Sequence, residues 1–389
     1  MAKKIAFLVD SIYTIGGVQR VTAVIAKALT KEYDVTIITL DSTRLYEPSL
    51  YGMNDVKDLK VKYFIYPKGN ALHDKLCKIY SYLYRRYLPQ CKFTSDLYAK
   101  SSLPNPRRRM MASTLNRDGY DTVVAVHVFL AIRLATISSH LHCKCIGWIH
   151  NSFTALTQKG SSYLGPELKS HYGYQLKKLD TVVTLYHEDA LHYAQEYGLK
   201  VDTIYNPLTI QPGYRATGNS KQLLAVGRMT PKHKGFDLLI EAFAKVMDEM
   251  QEWSLHIVGD GPEKGTLENL IRKNHAEKQI FLHPFTNDIQ VYYQQAQLYV
   301  LSSRWEGMPL VLVEAMAHGL PIVASDLPTC KEVMGDNATY FHTGDATDLA
   351  NALRKAMTMR DWQERSSKSL LIANDFQVDR IIEKWKEIL

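Results

Sequence analysis

Short apolar runs that alternate with helical patterns restrict the fold of this chain more than any other feature. Residues 5–9 are predicted to form a buried strand, residues 18 to about 31 a helix, and residues 34–40 the next strand. A strand–helix–strand unit of this kind is typical of a parallel sheet with helices on its faces. Further strands are predicted at residues 61–66, 121–126, 145–149, 181–185, 201–205, 223–226, 254–258, 280–282, 298–301, 320–323 and 340–341. The sequence therefore predicts an α/β protein.

The length of the chain indicates two domains. A chain of 389 residues exceeds what one ordinary hydrophobic core supports. Asn206 and Pro207 follow the seventh predicted strand and form a turn signal. We therefore place the domain boundary between residues 205 and 206. Helices in the second half are predicted at residues 236–250, 346–357 and 375–389, among others.

The cysteines argue against a disulfide framework, because they are odd in number and scattered: Cys77, Cys91, Cys143, Cys145 and Cys330. The spacing of Cys143 and Cys145 is that of a strand and not that of a metal knuckle. No segment is long and uncharged enough to cross a bilayer, and the residues before the first strand are not the pattern expected of a signal peptide. We expect a cytoplasmic protein.

Basic residues are concentrated in residues 57–117. This region contains fourteen Lys or Arg and three Asp, hence 14 − 3 = +11, whereas the whole chain carries +7 and the remainder −4. Tyrosines lie among these charges, and such a mixture suits a peripheral contact with an anionic membrane surface or a pyrophosphate-linked acceptor. No nucleic-acid module accompanies it, so we expect no nucleic-acid partner. A solvated basic face is the alternative interpretation.

Residues 302–324 combine two acidic residues with the start of a helix. Glu306 and Glu314, with seven residues between them, bracket a Gly-Met-Pro turn and an apolar run. Pro309 is predicted at the first helical position, which would direct the amides of residues 308–311 at an anion. A diphosphate there, with one carboxylate for the ribose and one for the sugar, fits a nucleotide sugar. Alternatively, Glu306 is a loop charge and Glu314 lies on a solvated helix face, although its apolar neighbours make that costly.

A basic loop between Gly227 and Gly235 follows the first strand of the second domain. Arg228, Lys232 and Lys234 on this loop would form a cationic clamp for phosphate groups. Surface charges on a turn are the alternative interpretation.

Two further loops lie at the carboxyl ends of strands, where ligands collect in open α/β sheets. Gly16 and Gly17 form the first and would let the backbone approach a phosphate, with a plain tight turn as the alternative. His150 lies at the end of the strand at residues 145–149, where a structural role is the alternative.

Residues 306–325, EGMPLVLVEAMAHGLPIVAS, resemble the donor-site signature of the retaining glycosyltransferases of family 4, which have the GT-B fold. The loop with Arg228 and Lys234 resembles the basic loop of that family. It is one residue longer than the common version, so Lys232 replaces or assists Lys234 in an alternative assignment.

The resemblance extends to the first domain, where Gly16 and Gly17 resemble the N-terminal glycine loop of the family. His150 resembles the histidine that lies near the transferred sugar. The implied architecture is two Rossmann-like domains facing each other across a cleft. The resemblance implies that residues 1–205 form the acceptor-side domain, that residues 206–372 bind the nucleotide sugar, and that the helix at residues 373–389 returns to the first domain.

The resemblance implies a retaining hexosyltransferase that needs no metal ion and no cofactor, and the chain contains no Asp-x-Asp motif. We expect a UDP-sugar donor and a glycan or polyprenol-linked acceptor of cell-envelope or capsular polysaccharide synthesis. A GT-B nucleotide-sugar epimerase and a catalytically silent, membrane-docked scaffold are the alternatives. The implied catalytic residues are His150, Arg228, Lys234 and Glu306. The implied donor-binding residues are Gly16, Gly17, Lys232, Gly307, Met308, Pro309, Leu310 and Glu314.

Overall fold

A computed structural model describes residues 2–40, 57–64, 71–161, 163–211, 213–230 and 232–389. The chain divides into two compact units, Met1–Asn206 together with Val378–Leu389, and Pro207–Gln377. The sequence prediction placed the first division one residue earlier and the second at residue 373. The C-terminal helix thus belongs to the first unit.

The first unit contains a parallel sheet of seven strands in the order β3-β2-β1-β4-β5-β6-β7. Its strands are β1 (Lys4–Val9), β2 (Asp34–Thr39), β3 (Lys60–Tyr63), β4 (Thr122–Val126), β5 (Lys144–Trp148), β6 (Thr181–Thr184) and β7 (Val201–Thr203). Its helices are α1 (Gly17–Leu29), α2 (Ala71–Arg86), α3 (Lys92–Ser102), α4 (Asn105–Asp118), α5 (Val128–Ile137), α6 (Phe153–Thr157), α7 (Lys169–Leu176) and α8 (His187–Tyr197). The inner strands β1 and β4 are buried almost throughout, as the apolar runs predict.

The second unit contains a parallel sheet of six strands in the order β10-β9-β8-β11-β12-β13. Its strands are β8 (Gln222–Val226), β9 (Ser254–Val258), β10 (Ile280–His283), β11 (Leu298–Leu301), β12 (Ile322–Ser325) and β13 (Ala338–Phe341). Its helices are α9 (Phe236–Ala244), α10 (Lys264–Lys273), α11 (Gln290–Gln295), α12 (Leu310–Ala317), α13 (Pro328–Met334), α14 (Ala346–Met357) and α15 (Trp362–Ala373), and α16 (Val378–Ile388) follows in the first unit.

Helix α16 is held in the first unit by an aromatic cluster. Trp385 is fully buried, and its ring centroid lies 4.8 Å from that of Trp148 and 6.2 Å from that of Phe7. The strongly amphipathic sequence of α16 explains why it needs a second surface to cover its apolar face.

The strand order reverses once in each sheet, and this reversal fixes where ligands are expected. β1 lies between β2 and β4, and β8 lies between β9 and β11. In open α/β sheets the crevice at such a point, beyond the carboxyl ends of the strands, is the usual ligand site. The segments that follow Val9, Val126, Val226 and Leu301 are therefore the places to look for function.

Several predicted bounds are wrong. Pro309 is the N-cap of α12 and not its first helical residue, because its ψ of 110° is extended. The helix predicted at residues 236–250 ends at Ala244, the strand predicted at 320–323 lies at Ile322–Ser325, and the last helix begins at Val378 and not at residue 375. Residues 65 and 66 of the strand predicted at 61–66 lie outside the described residues.

No described helix combines the length and the apolar character that crossing a bilayer requires.

Candidate functional site

A buried ion pair occupies the reversal point of the second sheet. Lys234 lies on the loop after β8, and Glu306 lies on the loop after β11. The Lys234 Nζ atom lies 2.6 Å from the Oε1 atom of Glu306, and the Ser303 hydroxyl donates to the same oxygen at 2.6 Å. The Glu306 side chain is only 8% exposed. The interpretation of Glu306 as a solvated loop charge is therefore wrong.

The charge state of Glu306 follows from these neighbours. Burial alone would raise its pKa, but the Lys234 ammonium, His233 and the Ser303 hydroxyl outweigh burial and hold the pKa of Glu306 below its usual range. The carboxylate is therefore ionised at neutral pH and able to accept hydrogen bonds.

The backbone holds these two loops together. Ser302 Oγ donates to the carbonyl oxygen of Lys234 at 2.8 Å. Gly235 has a φ of 63°, and a Cβ atom there would lie 2.0 Å from the carbonyl oxygen of Ser302. Only glycine fits this approach, so Gly235 sets the distance between the β8 loop and the β11 loop.

Arg304 and Trp305 brace the basic loop from the side of β11. The Arg304 guanidinium donates two hydrogen bonds of 2.8 Å to the Asp237 carboxylate and one of 2.8 Å to the Lys232 carbonyl oxygen. His233 stacks on Trp305 with ring centroids 4.9 Å apart. Lys232, His233 and Lys234 are thus each held by a residue that follows β11, and these contacts fix the position of Lys234.

The structure separates the roles of the three cationic residues on this loop. Lys234 points at Glu306, whereas the side chains of Arg228 and Lys232 are exposed. Lys232 contributes its backbone, which has a φ of 60° and bonds Arg304. The geometry therefore favours Lys234 over Lys232 as the lysine next to the acidic residue.

The loop between Glu306 and α12 carries the predicted phosphate-facing amides. Gly307, Met308 and Pro309 form this loop, and α12 begins at Leu310. Amides in the first turn of a helix have no acceptor within the helix, and the helix dipole favours an anion there. Leu310 provides one of these amides, whereas Pro309 has no N–H to offer.

Glu314 lies on α12 and is 1% exposed. The Tyr293 hydroxyl donates to its Oε2 atom at 2.9 Å, and the Thr209 hydroxyl donates to its Oε1 atom at 3.4 Å. His318 stacks on Tyr293 at 4.9 Å and its Nδ1 atom bonds the Glu314 carbonyl oxygen at 2.7 Å. The interpretation of Glu314 as part of a solvated helix face is wrong. The sequence prediction missed Tyr293, which no motif singled out.

A cavity of about 250 Å³ lies at the reversal point of the first sheet. Gly16 is the N-cap of α1 and Gly17 its first residue, so the predicted glycine loop leads directly to this cavity. The cavity is lined by Val9, Asp10, Ser11, Val18, Gln19, Thr22, Val126 and His127.

His150 is buried two residues beyond β5. Its ring centroid lies 4.3 Å from that of Trp148, and its Nε2 atom has no hydrogen-bond partner among the described residues. Burial lowers the pKa of His150 to about 3, with a smaller contribution from His127. The imidazole is therefore neutral at physiological pH.

His127 is a candidate residue that the sequence prediction missed. It follows β4 directly, lines the cavity and has a φ of 85°, which is rare for a residue other than glycine. Burial lowers the pKa of His127, although Asp10 and Asn151 act in the opposite direction. Its position at the carboxyl end of a predicted strand is the signal that would have found it.

Comparison with known proteins shows that the chain is similar to glycosyltransferases. Residues 209–369 match the family model described as Glycosyl transferases group 1. The chain is 28% identical to an uncharacterized glycosyltransferase of Haemophilus influenzae, over an alignment of 400 positions that covers 100% of both chains. It is 27% identical to the amylovoran biosynthesis glycosyltransferase AmsD of Erwinia amylovora, across 99% of each chain.

Solved structures show the same architecture. HepE of Anabaena in complex with UDP superimposes with a TM-score of 0.73 at 18% identity, over 99% of this chain and 98% of that one. A variant of TarM of S. aureus in complex with fondaparinux, α-GlcNAc-glycerol and UDP gives 0.73 at 15% identity, over 99% of both chains. The chain therefore has the GT-B fold, and the family match over residues 209–369 together with the two relatives shows that it is a glycosyltransferase.

Proposed function

We propose that the protein transfers a sugar from a UDP-sugar to an acceptor hydroxyl, with retention at the anomeric carbon and without a metal ion. The observation that carries this proposal is the buried Lys234–Glu306 pair at the reversal point of the second sheet. A preorganised cation and a carboxylate in one dry site meet the two needs of a nucleotide sugar, charge neutralisation and hydroxyl recognition. HepE and TarM, which share the fold, were both solved with UDP.

Cationic side chains next to the diphosphate lower the energy of the transition state in the proposed reaction. As the bond to the anomeric carbon breaks, negative charge accumulates on the leaving diphosphate, and cationic groups aimed there stabilise the transition state more than the ground state. Arg228 and Lys234 provide this charge, with Lys232 as an exposed neighbour. The amides of Gly307, Met308 and Leu310 and of the Gly16–Gly17 loop add neutral donors.

The two carboxylates hold the two sugars of the donor. Glu306 accepts hydrogen bonds from hydroxyls of the transferred sugar. Glu314 accepts from the ribose hydroxyls, because carboxylate oxygens are good acceptors for hydroxyl groups and Tyr293 and Thr209 hold this carboxylate in place.

The acceptor oxygen attacks from the face on which the diphosphate leaves, and its proton passes to the leaving phosphate oxygen. No carboxylate nucleophile is assigned, in contrast to the double displacement of retaining glycosidases. His150, as a neutral imidazole, orients the transferred sugar by a hydrogen bond and carries no charge.

The acceptor binds in the first unit, where the cavity lined by Asp10 and His127 provides polar contacts. We propose a glycan or polyprenol-linked acceptor of polysaccharide synthesis, reached at the cytoplasmic face of a membrane. Two features support this, the basic residues 57–117 and the similarity to AmsD, a protein of amylovoran biosynthesis.

Thermal stabilisation by UDP, GDP, ADP and NAD, each with and without a chelator, tests the donor assignment. A ligand at about one hundred times its Kd stabilises a protein by about 2.7 kcal/mol. We expect a shift with UDP alone that the chelator does not change. Release of a free epimer from the donor without acceptor would establish the epimerase instead, and membrane binding without any nucleotide shift would establish the scaffold.

A further inference from the structure

A stripe of four apolar side chains runs along the outer side of α2. Leu72, Leu76, Ile79 and Leu83 follow the spacing that places residues on one helix face, and they are 69%, 58%, 49% and 39% exposed. Other large apolar side chains of the same two-helix region are also exposed, namely Tyr82, Tyr87, Phe93 and Leu97. Apolar surface of this extent marks an interaction site on a folded protein.

The stripe is not a core face that has missed its partner, because α2 already buries a different face. Tyr84 is 1% exposed and stacks on Tyr98 of α3 with ring centroids 4.6 Å apart. The Tyr80 hydroxyl donates to the carbonyl oxygen of Thr94 at 3.0 Å. In turn, Ser95 of α3 bonds His171 of α7 at 2.8 Å. The protein therefore presents the stripe on an anchored helix.

Basic side chains flank the stripe. Helix α2 carries Lys75, Lys78, Arg85 and Arg86 against one acidic residue, Asp74. Within the part of the chain that the structure describes, Lys75, Lys78 and Arg86 form no ion pair with a carboxylate, and Arg86 lies over the Tyr82 ring at 5.2 Å. An apolar stripe beside free cations matches a surface that is apolar inside and anionic at its edge.

We propose that α2 docks the protein on a lipid bilayer with anionic headgroups. Leu72, Leu76, Ile79 and Leu83 insert at the level of the upper acyl chains, while Lys75 and Lys78 meet lipid phosphates. A second copy of the chain fits less well, because pairing two such helices would bring their cationic flanks together. The inference rests on the proposed function only for its lipid-linked acceptor and is independent of the donor chemistry.

Cosedimentation of the full chain with vesicles tests this docking. The vesicles contain phosphatidylcholine alone or phosphatidylcholine mixed with phosphatidylglycerol. We expect binding to the mixed vesicles that Leu76→Ser/Ile79→Ser weakens at least about tenfold, since burial of each such side chain contributes about that factor. Lys75→Gln/Lys78→Gln should weaken binding and reduce its salt dependence. The matched control is Leu191→Ser/Leu371→Ser, two equally exposed leucines on α8 and α15, and it should bind as wild type does.

The outcomes separate this docking from the transferase chemistry. UDP affinity is measured on the same preparations, and we expect it to be the same in all variants. The proposal would be overturned if Leu76→Ser/Ile79→Ser bound the mixed vesicles as strongly as the wild-type protein does. Absence of vesicle binding by the wild type, or a dimer in solution that this variant dissociates, would also overturn it. If the wild-type protein does not bind UDP, this result would instead contradict the donor assignment and would not affect the docking result.

Discussion

At the residue scale, two carboxylates that look alike in the sequence have different surroundings. Glu306 is buried beside a lysine, and Glu314 is buried beside two hydroxyl groups. The sequence identified both residues through their spacing. It could not identify their partners, because Tyr293 and Thr209 lie on segments remote from Glu314 in the chain and carry no motif.

Tyr293→Phe tests the position of Glu314. Loss of the 2.9 Å hydrogen bond removes a donor that holds Oε2 of a buried carboxylate, so its orientation toward ribose is lost. We expect the preference for UDP over 2′-deoxy-UDP, measured by calorimetry, to fall about tenfold. Tyr340→Phe is the control, because that hydroxyl bonds the Gly335 carbonyl oxygen at 2.8 Å away from the acidic residues. An unchanged preference in Tyr293→Phe would contradict this role.

The pKa of His150 makes a prediction about acid stability. The folded protein holds it at about 3, below the ordinary 6.5, so the unfolded chain binds a proton between these values that the folded protein does not. Its stabilising contribution is complete above pH 6.5 and is lost as the pH falls toward 3. When the pH is lowered from about 7.5 to about 5, the free energy of unfolding of wild type should therefore fall by about 2 kcal/mol more than that of His150→Asn.

Urea unfolding at the two pH values measures this difference. His142→Asn, at an exposed histidine of the first unit, is the control variant. If His150→Asn has the same pH dependence as wild type, the folded protein does not hold the pKa of His150 below its ordinary value.

At the scale of elements, the apolar runs predicted the ends of most strands to within two residues, because a strand buried on both faces needs a continuous apolar segment. Pro309 was placed one residue too far into α12, since its ψ is set by the loop packing and not by the residue itself. Helices α2 to α4 had no clear prediction, because much of their apolar surface faces outward and blurs the periodicity.

Gly235 joins two elements, and its replacement tests that contact. Gly235→Ala would place a Cβ atom against the Ser302 carbonyl oxygen and strain a φ of 63°, so we expect a loss of about 2 kcal/mol or more in the second unit together with weaker UDP binding. Gly265→Ala is the control, since nothing lies within 4 Å of the added atom and alanine favours the α10 helix. Equal free energies of unfolding in urea for the two variants would contradict the contact between Gly235 and Ser302.

At the scale of the whole molecule, each unit has its own sheet and its own reversal point, and the Lys234–Glu306 pair at the second reversal point includes one acidic residue of the motif at residues 302–324. The sequence could not give the packing of α16, because the aromatic cluster joins residues more than two hundred positions apart.

Trp385→Ala tests that packing. It removes a fully buried ring from the cluster with Trp148 and Phe7, and we expect the first unit to lose about 3–5 kcal/mol. Leu371→Ala, at an exposed leucine, should change stability little. A Trp385→Ala protein with wild-type unfolding in urea would show that α16 does not stabilise the first unit.

The most direct test of the central claim compares two lysines of one loop. Lys234→Gln/Glu306→Gln removes the buried pair without leaving a lone charge, and Lys232→Gln removes an exposed charge two residues away. With a UDP-sugar and an acceptor extract, we predict that the double variant loses at least about a hundredfold in turnover, equivalent to about 2.7 kcal/mol. We predict that Lys232→Gln stays within about threefold. Wild-type turnover in the double variant, or an equal loss in Lys232→Gln, would contradict the assignment of the donor site.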